Sequence, residues 1–167
     1  MQASDNAWYA LTTRIGRERH VSTLLGLREF EVFLPCHRTR HRWSDRFKES
    51  ETPFFPGYLF CHFDVSNKLP ILIVPGVISI VGIGRKPIPI AQDEIESLRS
   101  VVRSGLPAQS CSFVEVGQRV HLHDGPLRGS SGTIVESAPE KNRLVVSVTL
   151  LKRSIAVNID PAWIWTT

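Results

Sequence analysis

The spacing of hydrophobic and polar positions changes several times along the chain. Trp8–Thr13, WYALTT, is dense in aromatic and apolar residues and predicts a strand, which Gly16 ends. From Arg17 to Glu29, Val21, Leu24 and Leu25 recur at helical spacing, with Arg28 on the same side. This predicts a helix that Gly26 weakens. Glu31–Leu34 reads as a second strand, and Pro35 marks a bend or an edge. Ser44–Glu51 is polar and charged, as an exposed hairpin or loop would be. Thr52–Phe63, TPFFPGYLFCHF, is the densest apolar passage. In a strand, Tyr58, Phe60 and His62 point one way and Leu59, Cys61 and Phe63 the other. Aromatic residues fall on both faces, so neither face is an ordinary wet one. NKLPILIV predicts a short irregular or helical piece, and Gly76 leads into a further strand, VISIVGIG. In AQDEIESLRSVVRSG, Ile95, Leu98, Val101 and Val102 keep the three-to-four spacing of a helix that Gly105 stops.

After Gly105 the pattern changes. Leu106–Ser112 is short, polar and Pro-containing and reads as a linker. RVHLHD, GTIVES, RLVVSVTLL and SIAVNID are short, β-branched segments separated by the turn signals DGPLRGSSG and EKNR. They predict a small barrel of about five strands, a form that hides edges in a segment of this size. The expected fold class is α+β: an N-terminal domain over 1–105, a linker over 106–112, and a β barrel over 113–167.

Composition narrows the class. The 167 residues are 42% hydrophobic and 22% charged, enough for a packed core. Formal charge is +4, a mild excess that permits a polyanionic partner without demanding one. Cys36, Cys61 and Cys111 are odd in number and form no CxxC pair, which argues against a disulfide framework and for a reducing compartment. The N-terminus has neither the charge nor the apolar run of a signal or transit peptide. The longest apolar run is cut by Pro and Gly and falls short of the about 20 residues of a membrane span. The expectation is a soluble cytoplasmic protein.

The candidate chemistry lies mostly in cations. Arg14, Arg17, Arg19 and His20 are followed by CHRTRHRW, in which a period of two sets Arg38, Arg40 and Arg42 on one side. Such a row suits phosphates, since guanidinium groups bind them bidentately, and Trp43 beside it could stack on an unpaired base. The plain alternative is a solvated charged face. Cys36, His37 and His41, with Cys61 and His62, do not have zinc spacing, and the surrounding arginines repel a cation. No phosphate-loop spacing and no nucleophile elbow is present. Glu94 and Glu96 read as solvated. No enzyme and no cofactor are expected.

WYAL, FFPGYLF, PGVISIVG and GRKPIPI occur in the order of the NGN domain, and VEVGQRVHLHDGPLRGSSGTIVE resembles the KOW motif with Gly132 at its central glycine. From Trp8 to about Ile164 the chain resembles the NusG transcription elongation factors. RWSDRFKESETPFFPGYLF is more similar to the specialised RfaH and UpxY antiterminators than to housekeeping members. The resemblance implies that an apolar NGN patch packs on the clamp helices of the largest catalytic subunit of RNA polymerase. Trp8, Tyr9, Thr12, Tyr58, Phe60, Ile83 and Ile95 match patch positions, Thr12 replacing a tyrosine of RfaH. Asn67, Lys68 and Leu69 match the piece that touches the opposite polymerase lobe. Arg14, Arg17 and His20 match a surface that contacts the non-template DNA strand. Leu151 matches an aromatic position through which the KOW barrel meets a small-subunit ribosomal protein, Rho being another partner of that barrel. The C-terminal half of RfaH can also fold as a helical hairpin, but the Val, Ile and Thr of RLVVSVTLLKRSIAVNID favour strands.

Three readings follow. The first is an antitermination factor, monomeric and without membrane contact, that suppresses pausing at a subset of operons. The second is an RNA-binding or ribosome-associated KOW module that needs no polymerase. The third is a housekeeping NusG that acts with Rho.

Overall fold

The computed structural model describes residues 6–112, 118–138 and 141–163. The opening of the KOW-like motif, 113–117, and the N-terminal 1–5 lie outside them. The elements in chain order are β1 (Asn6–Thr13), α1 (Glu18–Leu27), β2 (Glu31–Phe33), β3 (Cys36–Trp43), β4 (Arg46–Pro53), β5 (Tyr58–Asp64), α2 (Leu69–Leu72), β6 (Val77–Ile80), β7 (Gly82–Ile83) and β8 (Lys86–Pro87). There follow α3 (Gln92–Ser104), β9 (Ala108–Ser112), β10 (Gln118–His121), β11 (Ser131–Ala138), β12 (Lys141–Val148) and β13 (Arg153–Ile159). The fold is α+β, and among the described residues no helix is long and apolar enough to cross a membrane.

The chain divides into two compact units. Residues 1–34 and 55–92 form the first, and 35–54 and 93–167 the second.

In the first unit an antiparallel sheet has the order β2-β5-β1-β6. Alternation along β5 sends Leu59, Cys61 and Phe63 into one core with Tyr9, Leu11, Val21, Leu25, Ile71 and Val74. Helix α1 therefore buries the Val21/Leu25 stripe, while Leu27 is left 76% exposed. The other face of the sheet answers the aromatic excess of β5. Phe60 is fully buried, with the rings of Phe33 and Phe55 each 6.1 Å away, and Trp8 lies 5.3 Å from His62. The chain enters β5 through a tight turn at Gly57 (φ +84°), where Tyr58 N–H donates to the Phe55 carbonyl at 3.0 Å.

In the second unit, β3 and β4 form a hairpin, and β10-β11-β12-β13-β9 form a five-stranded antiparallel sheet. Leu144, Val146, Val148, Ile155 and Val157 share its inner face with Leu122 and Leu127 in the core. The β-branched C-terminal segments are strands here. Leu106–Ser112, expected as a linker, instead contributes β9, which pairs with β13 from Ala108↔Val157 to Ser112↔Arg153. Its short polar sequence, AQSCS, carries no apolar alternation that would have marked a strand. From β9, Ser110 Oγ donates to the Phe54 carbonyl at 2.5 Å, at the base of the hairpin. Helix α3 buries Ile95, Leu98 and Val101, while Val102 is 37% exposed. It ends at Gly105 (φ +66°), with Ser104 Oγ donating to the Val101 carbonyl at 2.7 Å.

Candidate nucleic-acid and polymerase surfaces

Arg14, Arg17 and His20, expected at one surface, meet there. Arg14 leaves the end of β1, Arg17 precedes α1, and His20 sits in its first turns. All three are exposed and line one depression of about 450 Å³ with Pro75, Gly76, Val77 and Ile78. The backbone sets the geometry: Arg14 N–H donates to the Gly76 carbonyl at 3.3 Å, and Gly76 holds φ +97°. A Cβ at Gly76 would stand 2.7 Å from Val21 Cγ2, so the wall is built as close to α1 as a backbone can come. Ile78, 59% exposed, adds an apolar wall beside the cations, and Ile15 nearby in sequence is 79% exposed. Neither is marked in the sequence, because isolated exposed isoleucines have no pattern.

The aromatic patch is distributed differently from a single exposed surface. The register pairs Trp8 with His62, Ala10 with Phe60 and Thr12 with Tyr58, so these share one face of the sheet. Alternation places Tyr9 on the opposite face, where it pairs with Cys61 and its ring lies 4.9 Å from Phe63.

 On that face Tyr9 is 4% exposed. Tyr9 thus cannot share a surface with Tyr58 and Phe60. Trp8, Phe60 and Ile95 are buried. Thr12 and Tyr58 are half-buried, and Ile83, in the β7–β8 ribbon, is 72% exposed.

Asn67, Lys68 and Leu69 are exposed where a single 3-10 turn leads into α2. Asp64 caps that turn, accepting from Ser66 Oγ at 2.7 Å and from Ser66 N–H at 2.9 Å. The side-chain and then the backbone hydrogen bond of Ser66 hold the Asp64 carboxyl below its ordinary pKa. Leu69 is 66% exposed, and Ile73, just beyond α2, is 60% exposed.

The arginine row lies on the β3–β4 hairpin. Arg38 is opposite Glu51, Arg40 opposite Glu49, and Arg42 opposite Phe47. The Arg40 guanidinium sits 4.3 Å from the centre of the Phe47 ring. The row therefore faces carboxylates across the hairpin, a register that the expectation of an exposed hairpin or loop over Ser44–Glu51 did not specify. Trp43 pairs with Arg46 at the tip and is 68% exposed.

Cys61 and His62 point to opposite faces of β5, and burial pushes the Cys61 thiol up to about 12, with the Glu31 charge adding to the effect. Burial also raises the Cys111 thiol, against the opposing charge of Arg143. Among the described residues, no group of three His, Cys, Asp or Glu side chains could hold a metal ion. The His41 side chain lies outside the described residues.

In the second unit, Leu151 is half-buried at the end of the 3-10 turn Thr149–Leu151, between β12 and β13. Glu94, expected to be solvated, accepts from Thr149 Oγ1 at 2.7 Å and from Thr149 N–H at 3.2 Å. Glu96 pairs with Arg99 at 3.2 Å on the same helix.

The family model described as "Transcription termination factor nusG" matches residues 6–99, more than half of the chain. The chain is 30% identical over 176 residues to the "Transcription termination/antitermination protein NusG" of Thermus thermophilus, covering 92% of this chain and 94% of that protein. Against the protein of the same name from Escherichia coli K12 it is 28% identical over 174 residues, covering 95% of each. A solved structure titled "Domain interaction in Thermotoga maritima NusG" superposes with a TM-score of 0.58 at 18% identity, covering 95% of this chain and 96% of that one. With its sheet order, its helices and these matches along nearly its full length, the chain belongs to the NusG family.

Proposed function

We propose that the protein is a transcription elongation factor that binds RNA polymerase and suppresses pausing or termination at a subset of operons. It performs no chemistry; it favours one conformational state of its partner. The observation that carries the reading is the grouping of Arg14, Arg17 and His20 around one depression, on a chain of this family. Three cationic or titratable groups there suit the backbone of the non-template strand. The clamp contact is assigned to the face of Thr12 and Tyr58 together with Ile83, with Trp8 and Phe60 buried on the same side of the sheet; Ile95 is buried within the second unit. Asn67, Lys68 and Leu69 are assigned to the opposite lobe, and Leu151 to a ribosomal protein or Rho. The first unit, 1–34 and 55–92, carries the NGN role and the sheet β9–β13 the KOW role, and the chain works as a cytoplasmic monomer.

The test is co-purification with core RNA polymerase, comparing wild type with Tyr58→Ala/Ile83→Ala. Phe60 is left intact, because its removal would empty a buried site. Capture of wild type and loss of the variant supports the reading. Equal capture of both rejects the patch, and capture of neither rejects the polymerase as partner.

A further inference from the structure

The two faces of the β3–β4 hairpin differ in charge more than the sequence suggests. In an antiparallel pair, residues directly opposite share a face. One face carries Arg38, Arg40 and Arg42, but also Glu51, Glu49 and Phe47 opposite them. Two carboxylates stand in register opposite two of its guanidinium groups, and Arg40 is stacked on Phe47. The other face runs from a hydroxyl ladder to a cationic, aromatic tip. Thr39 Oγ1 lies 3.0 Å from Ser50 Oγ and 3.2 Å from Thr52 Oγ1. Beyond the ladder come Lys48, then Arg46 beside Trp43. Lys48, Arg46 and Trp43 are all exposed. The strands carry no carboxylate on this face; Asp45, in the turn itself, accepts from Ser44 Oγ at 3.1 Å.

We infer that the Trp43/Arg46/Lys48 face of the hairpin, and not the arginine row behind it, binds single-stranded nucleic acid. A large exposed indole beside two cations provides both parts of a single-strand site, a stacking platform and a phosphate-neutralising track. Lys48 and Arg46 stand two strand positions apart, about 7 Å, which lets them meet separate phosphates while a base stacks on Trp43. A duplex offers the indole no free base face, so single strands are preferred. The inference rests on the reading of this chain as a factor that touches nucleic acid, but it concerns a different surface from the Arg14/Arg17/His20 depression.

The experiment is fluorescence anisotropy of the full chain with a labelled oligothymidylate of about 15 nucleotides, and with a duplex of equal length. Four variants are compared: Trp43→Ala, Arg46→Ser/Lys48→Ser, Arg38→Ser/Arg42→Ser, and Arg14→Ser/Arg17→Ser. All substituted positions are exposed, and circular dichroism checks that each variant is folded. Trp43→Ala is expected to weaken single-strand binding about tenfold. Arg46→Ser/Lys48→Ser is expected to weaken it and to flatten the log–log salt slope by about 1.4. The Arg38/Arg42 variant should bind within about threefold of wild type, since its charges are partly compensated. No binding by wild type, unchanged binding by Trp43→Ala, equal affinity for the duplex, or a larger loss from the Arg38/Arg42 pair would each overturn the inference. The same variants in the polymerase capture separate the two proposals. Oligonucleotide binding that depends on Trp43 without polymerase capture sinks the elongation-factor reading alone; capture without Trp43 dependence sinks this one alone.

Discussion

The Gly57 N–H donates to Glu18 Oε1 at 2.7 Å, joining residues 39 positions apart. The second oxygen, Oε2, accepts from Gly16 N–H at 2.9 Å. Glu18 is 4% exposed in the first turn of α1, where the helix dipole favours a carboxylate. One side chain thus fixes the start of α1 against the turn that feeds Tyr58 into β5. The Gly57 carbonyl is used as well, accepting from Thr13 N–H at 2.8 Å.

Glu18→Gln should therefore destabilise the fold by about 2 kcal/mol. The amide keeps the shape but leaves one oxygen for two backbone donors, that of Gly57 buried. Urea unfolding followed by circular dichroism measures the loss. An unchanged midpoint would show that water takes over the second donor without cost.

Cys61 makes a prediction about alkaline pH. Its folded pKa is raised from 9.0 to about 12, so the folded state binds the thiol proton more tightly than the unfolded state does. The stabilisation is fully present below pH 9 and fades as pH climbs from there toward the folded value. Cys61→Ala lacks this titration, so its stability should fall less steeply over that range than wild type, despite a lower starting value. Parallel curves would mean the thiol stays accessible to solvent. Consistently, native protein should leave Cys61 unlabelled by iodoacetamide, and denatured protein should not.

Much of this fold was legible because period and punctuation agree. WYALTT, the Val21/Leu25 stripe, and the α3 stripe stopped by Gly105 each carry several independent signals. Strand β9 was not legible, since AQSCS is held by pairing with β13 rather than by its own pattern. The depression was visible as two arginines and a histidine but not as a shape, because its far wall, Pro75–Ile78, comes from a distant stretch of chain. The hairpin faces needed the register: only pairing shows that Glu49 and Glu51 stand among the arginines. Glu18 carried no sequence signal at all, because its partners are backbone amides of glycines.

Two glycines should respond in opposite directions to alanine. At Gly132 a Cβ would lie 2.7 Å from the Val145 carbonyl oxygen and 2.9 Å from Leu144 Cδ1, both across the β11–β12 pairing. The backbone oxygen cannot move aside cheaply, so Gly132→Ala should cost about 1–3 kcal/mol. Gly26 sits in α1 with nothing within 4 Å of the added methyl, and Gly26→Ala should gain about 0.5 kcal/mol through helix propensity. Thermal melts of both variants check the pair of signs. A stable Gly132→Ala would mean that strands β11 and β12 separate slightly to admit the methyl.

The Glu94 contact with Thr149 sets a last prediction, on dynamics. Glu94 holds both the N–H and the hydroxyl of Thr149, the first residue of the turn that ends in Leu151. The turn closes with Lys152 in the left-handed region at φ +52°, an unfavourable conformation for a side chain of that size, so it depends on such anchors. Because the contact is exposed, Glu94→Ala should change global stability by less than about 1 kcal/mol. Local opening is a different matter: without its acceptor, the Thr149 amide loses the partner that protects it. Hydrogen exchange at Thr149 should accelerate several-fold while amides within β12 and β13 keep their rates. Thr149→Val, which removes only the 2.7 Å hydroxyl bond, should give a smaller acceleration. Unaltered exchange at Thr149 in Glu94→Ala would show that the turn holds its shape from the β12–β13 pairing alone.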